Sequence, residues 1–268
     1  MIRLFNIEWI KLKNYKTFWV LGGLYLFLIT FIPISVLEFM KWLESKGVEF
    51  EEFSPSKIPI LHFPDIWQNI TYLSVFFKFF IAVIIIISIT NEFSYKTIRQ
   101  NIIDGLSRMD FLKSKLTAIV AICLISAVYL FLICLITGLI YTPRLIQGEI
   151  LEYSQFIFAY FLDILFFLIF ALLIGNTFKK AGISIALVVM IIPIEYIFSA
   201  NLPDEISVVG DYLPMHVMNS IIQLPFTKYG FMEIQDYISP EAVALSFAYI
   251  ALFVYLNYVL LKKRDLTS

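Results

Sequence analysis

Charge is scarce in this chain. Only 15% of its 268 residues are charged, while 60% are apolar. A soluble domain carries about 25% charge and about 45–50% apolar residues. Soluble proteins need charge over their whole surface and lipid-facing ones do not, so the composition excludes an ordinary soluble domain. The net charge of −1 leaves no electrostatic case for binding nucleic acid. Cysteine is equally sparse: Cys123 and Cys134 both lie in one long apolar run. A helix would hold them about 16 Å apart, too far for a bridge, so they read as small apolar filler. The two histidines, His62 and His216, are far apart in sequence and make no metal motif. No G-x-x-x-x-G-K-[ST], H-E-x-x-H or G-x-S-x-G run occurs. The chain therefore has no P-loop for ATP, and no catalytic, cofactor-binding or metal-binding residue is expected in it. Internal repeats and low-complexity tracts are also absent.

Long apolar runs, in contrast, are plentiful. A helix needs about 20 apolar residues to cross the hydrocarbon. Runs over 17–37, 69–90, 116–141, 156–175, 181–198 and 242–261 qualify. In lipid the backbone must satisfy its hydrogen bonds internally, which makes these runs helices. The expected fold is all-α: a polytopic membrane protein with about six transmembrane helices, forming one transmembrane domain over 1–268. Its remaining parts are an N-terminal helix over 1–16, a loop over 91–115 and an outer segment over 199–241. The first run is longer than a signal-peptide core and no A-x-A site follows it, so a retained helix is expected.

Basic residues set the orientation. Arg3, Lys11, Lys13 and Lys16 precede the first span. Lys96, Arg99, Arg108, Lys113 and Lys115 separate spans two and three. Lys179 and Lys180 follow span four, and Lys262, Lys263 and Arg264 follow span six. The alternate segments hold only Lys41, Lys46, Lys57, Arg144 and Lys228, beside an acidic set that includes Glu49, Glu51, Glu52 and Asp204. This split predicts that both the N and C termini are cytoplasmic.

Ile2, Phe5, Trp9 and Leu12 form a partial apolar stripe, which predicts an interfacial helix with Lys11 and Lys13 near headgroups. In the loop after span two, Ile98, Ile102 and Leu106 recur every four residues as an apolar ridge on a short helix. Gly105 can take the left-handed conformation that ends it. Ser107 with Asp110 reads as a capping box opening the next helix. Two helical pieces thus meet at a corner, either an inert connector or a knob offered to a partner. In the outer segment, MHVMNSIIQL is too short to span. It is either a re-entrant or interfacial helix or a lid packed over the bundle.

Lys78, Asp163 and Glu195 are ionisable residues inside spans, where charge is costly. Lys78 and Asp163 each lie at a depth of about 15 Å from the outer end of their spans. Opposite charges at matched depth predict an ion pair between spans two and four, fixing register or lining a pathway. Glu195 lies near the outer end of span five, within reach of water.

The second loop resembles the cytoplasmic signature of ABC-2 type ABC transporter permeases. That family places a Glu near the end of span two, then a Tyr/Gly-Thr-x-Arg element, a Ser-Arg pair and a Lys at the start of span three. Here those positions are Glu92, Tyr95, Thr97, Arg99, Ser107, Arg108 and Lys115. Lys96 stands where the family often has Gly, and Leu106 where it often has Pro. The layout of spans and the long last outer segment are also similar.

The resemblance implies a membrane permease subunit of an ATP-driven transporter, an exporter, in the inner (cytoplasmic) membrane. Its partners would be a separate ATP-binding cassette subunit, a second permease chain in a homodimer, and the lipid bilayer. ATP and magnesium would be held by the partner ATPase. The corner would be the coupling helix, with Glu92, Tyr95, Lys96, Thr97, Arg99, Ile102, Asp104, Gly105, Ser107 and Arg108 as coupling residues. A local pair of Glu92 with Lys96 is the alternative for that carboxylate. Spans one and five would meet at the dimer seam, where Gly22, Gly23, Gly182, Ser184 and Ala186 permit close approach. The competing readings are an intramembrane enzyme using Asp163, Glu195 or His216, and a non-transporting scaffold or sensor.

Overall fold

The computed structural model describes residues 2–47, 58–103, 105–230 and 236–263. Among them there is no strand, and six helices are long and apolar enough to cross a membrane. The chain is thus a multi-pass membrane protein by helix count and composition. The helices are α1 (Ile2–Asn14), α2 (Lys16–Ser45), α3 (Ile66–Ser74), α4 (Lys78–Ser94), α5 (Thr97–Ile103), α6 (Arg108–Tyr141), α7 (Phe156–Phe178), α8 (Ala181–Ala200), α9 (Val208–Asp211), α10 (Pro214–Ser220) and α11 (Pro240–Lys263).

Most of these helices run beyond the apolar stretches that announce them. α2 continues to Ser45, and α6 starts at Arg108 rather than at the apolar run over 116–141. Span two is not one straight helix. A 3₁₀ turn at Val75–Phe77 separates α3 from α4. Neither Pro nor Gly lies there to mark it. The Ser74 hydroxyl donates to the Ile70 carbonyl at 2.7 Å, a back-bond that competes with the helix ladder and bends it.

α7 is the hub. It packs against α3, α4, α6, α8, α10 and α11, and 72% of its apolar window is buried, against 22% for α2 and 17% for α8 and α11. Close approach of α4 depends on Gly175: a Cβ there would stand 2.6 Å from Ile89 Cγ2. Lipid tails are as apolar as leucine, so packing and polar links must select the helix partners. Such links are present. Asn176 on α7 donates to Asn257 on α11 at 3.2 Å, and the Tyr25 and Tyr160 hydroxyls join α2 to α7.

Helix α1, α5, the α7–α8 turn and the last turn of α11 share one end of the bundle, termed proximal here. Arg108 reaches the Leu261 carbonyl there at 3.1 Å, and Lys179 Nζ lies 5.5 Å from the Phe93 ring centroid. At the opposite, distal end, Trp67 donates to the Ile150 carbonyl at 2.8 Å and Lys228 pairs with Asp65 at 2.6 Å.

The MHVMNSIIQL run lies against the bundle: Met215, Val217, Met218, Ile221 and Ile222 are buried, and α10 packs on α7, α8 and α11. It is a lid with its apolar face inward. The N-terminal stripe divides between the bundle and the surface. Leu12 is buried against Ile84 and Ala118, while Trp9 and Ile10 are exposed. α1 therefore turns its Glu8–Leu12 face into the bundle. Among the small residues, Gly22, Gly23 and Gly182 have no atom near a built Cβ. Ser184 is buried within the chain and Ala186 is exposed.

Candidate functional site

The proximal corner is built by two helix ends. Thr97 donates to the Glu92 carbonyl at 3.4 Å, where α4 stops. Lys96 follows with φ +55, a left-handed turn that a side chain adopts only at a cost. α5 then runs to Ile103. The Leu106 amide donates to the Asn101 carbonyl at 2.9 Å, with Gly105 at φ +91. This is the 6→1 closure of a Schellman motif, which needs a left-handed residue where Gly105 sits. Ser107 caps α6, its hydroxyl accepting from the Asp110 amide at 3.0 Å and donating to the Asp110 carboxylate at 2.7 Å. Asp104 and the side chain of Ile102 lie outside the described residues.

The described members of the apolar ridge face the bundle. Ile98 is 3% exposed and Leu106 packs against the core, so the ridge anchors the corner inward. Arg99 and Ile103, 68% exposed, lie outward on α5, and Tyr95, 71% exposed, stands outward at the end of α4. Arg108 is not part of that surface. Its guanidinium donates to the carbonyls of Leu261 and Lys262, at 3.1 and 2.5 Å. It caps the C-terminal end of α11, where a cation is favoured by the helix dipole.

Glu92 is likewise internal. It is 3% exposed and pairs with Lys115 and, at 3.1 Å, with Lys11. The local Glu92–Lys96 pair does not form, because Lys96 leaves the helix in the left-handed turn. Lys115 also donates to Glu8 at 2.6 Å and to Ser88 at 2.9 Å, and Ser114 donates to Glu8 at 3.3 Å. Glu8 further pairs with Lys11 at 3.1 Å. Two carboxylates and two ammonium groups, formally neutral together, thus join α1, α4 and α6 beneath the corner. Burial alone would push the Glu8 carboxyl up. Attraction to Lys115 and Lys11 outweighs this and holds it below its ordinary range. Glu8 was not among the sequence candidates, since it lies outside every apolar run. The available signal was a carboxylate on the same helical face as Leu12, in an otherwise basic segment.

Farther into the bundle, Lys78 Nζ lies 2.9 Å from both Asp163 oxygens. The pair expected from matched depth is formed, and both side chains are buried. Lys78 also contacts Met218 Sδ at 3.4 Å and sits 5.1 Å from the Phe167 ring centroid. The lid therefore reaches the intramembrane pair. Glu195 does not face water as expected: at 7% exposure it accepts from the Met215 amide at 2.8 Å and the His216 amide at 3.5 Å. Its carboxylate caps the N-terminus of α10 after Pro214 and so fixes the lid to α8. No group of His, Cys, Asp and Glu among the described residues could hold a metal ion.

The family model that matches this chain, over residues 26–267, is described as a protein of unknown function (DUF2705). None of the curated proteins matches it.

Proposed function

The chain belongs to the DUF2705 family, and we propose that it is the membrane permease subunit of an ATP-driven ABC transporter, an exporter. A separate ATP-binding subunit docks on the corner between spans two and three. The reading takes the proximal end as cytoplasmic, in agreement with its excess of basic residues.

The observation that carries it is the shape of the corner. A capped helix of one to two turns presents Arg99 and Ile103 outward, and Tyr95 stands exposed at the end of α4 just before it. An exposed aromatic, an arginine and an aliphatic side chain around one corner form the kind of anchor set that protein partners bind. The base of the corner is tied to the spans at several points: Glu92 to Lys115, Ile98 to the core, and Arg108 to the end of α11. A push on α5 is therefore delivered to spans two, three and six, and through the charge cluster to α1. Lys96 supports the resemblance in an unexpected way. It takes a positive φ, a conformation glycine adopts freely, at the position where ABC-2 permeases often have Gly. The permease would pair with a second copy, and α2 and α8, which like α11 are weakly buried, have free faces for that contact.

The test is copurification of tagged chain with an ATP-binding cassette subunit from the native membrane. Tyr95→Ala and Arg99→Glu should each lower its recovery by about tenfold or more. Their thermal midpoints should stay near that of the unsubstituted chain, since both side chains are exposed. Recovery without any ATP-binding subunit would end the proposal.

A further inference from the structure

A cavity of about 430 Å³ lies beside the Lys78–Asp163 pair, between span two and α8, with the lid above it. That is within the range of small-molecule sites, about 300–1,000 Å³. The 3₁₀ turn of span two helps to make it, because Val75 and Phe76 there join Phe79 of α4 on one wall. Ile192 of α8 forms part of the facing wall, and Lys78 with Asp163 the polar base.

We propose that this cavity binds an uncharged amphiphile, bearing a hydroxyl or amide N–H donor, that enters from the bilayer.

Charge decides the first part. Lys78 and Asp163 are the charged side chains that line the cavity, and they cancel. A ligand with net charge would leave water without a counter-charge, which low-dielectric surroundings penalise heavily. Hydrogen-bond capacity decides the second. The Lys78 ammonium is engaged by both Asp163 oxygens and Met218 Sδ. Each carboxylate oxygen accepts one bond from Lys78 and retains a lone pair, so the base offers acceptors to a ligand donor. Access decides the third. Phe76 of span two is 58% exposed and Tyr196 of α8 is 46% exposed, so the cavity reaches the flank of the bundle between two helices that cross the membrane. Mostly apolar walls toward span two and α8, with Asn219 and Gln223 on the lid side and the charged pair at the base, match a molecule that carries its head inward and its chain toward lipid.

The probe is a monoacylglycerol with a diazirine in its acyl chain, applied to the purified full-length chain in nanodiscs. Saturable photolabelling is expected on the segments holding Phe76 and Ile192. Unlabelled monoacylglycerol should compete about tenfold better than the fatty acid or the alkylammonium of equal chain length. Ile192→Trp, which fills the cavity, should abolish the saturable fraction, while Ile194→Trp on the exposed face of the same helix should not. Labelling spread evenly over all lipid-facing helices would overturn the proposal. Equal competition by the charged analogues on the unsubstituted chain would overturn it too, whether or not the tryptophan variants fold. Binding is read without ATP or a partner, so failure here leaves the ATPase reading standing, and failure of that reading leaves this site.

Discussion

Single side chains set the cost of disturbing this protein. Lys78 and Asp163 are buried with each other as ionic partners, so removing either one strands a charge. Lys78→Met should lower unfolding stability by about 3–5 kcal/mol, and Lys78→Met with Asp163→Leu should recover most of it. Chemical unfolding in detergent, followed by tryptophan fluorescence, measures both. Equal losses in the single and double variants would deny the pair its register role. Glu8 adds a pH dependence. Its carboxyl is held below the ordinary value of 4.5 by Lys115 and Lys11, against the opposing effect of burial. Its stabilising contribution is therefore complete above that value and is lost only as pH falls through the lower folded one. Hydrogen exchange in α1 should stay slow down to the usual glutamate range and rise below it. Glu8→Gln should flatten this dependence. The Lys78–Asp163 pair was legible in the sequence because two rare charges lay at equal depth in apolar runs. The Glu8 cluster was not, since its members come from segments where charges are common and only folding brings them together.

Helix ends govern the corner. Gly105 has open space around it, but its φ of +91 strains any side chain. Gly105→Ala should cost about 1–2 kcal/mol locally and speed hydrogen exchange in α5 without disturbing the spans. Ser107→Ala should cost about 1 kcal/mol and fray the first turn of α6. These caps could be read from the sequence because a capping box and a C-terminal glycine are local signals. The direction of the α5 ridge could not. A spacing of four identifies an apolar face but does not say whether the bundle or a partner covers it, and here Ile98 is covered by the bundle. The same ambiguity applied to the lid, whose apolar run was compatible with either a membrane surface or a packed site. Glu195 resolves it by capping α10 from α8. The break in span two rests on a serine back-bond that carries no strong sequence signal.

For the whole molecule, the helix count followed from apolar run lengths, whereas the arrangement around α7 did not. Its window of mean hydropathy 2.8 is close to the 2.6 of span two, and hydropathy alone does not tell a helix bathed in lipid from one buried in protein. The central claim joins topology to partnership: the corner stands on the cytoplasmic side and meets an ATP-binding subunit. A photo-crosslinking residue in place of Ile103, exposed on α5, compared with one in place of Leu151, exposed at the distal end, tests both parts at once. In intact cells the account predicts an adduct with an ATP-binding cassette subunit at position 103 and none at position 151. Absence of that adduct at 103, or its formation at 151, would contradict the account.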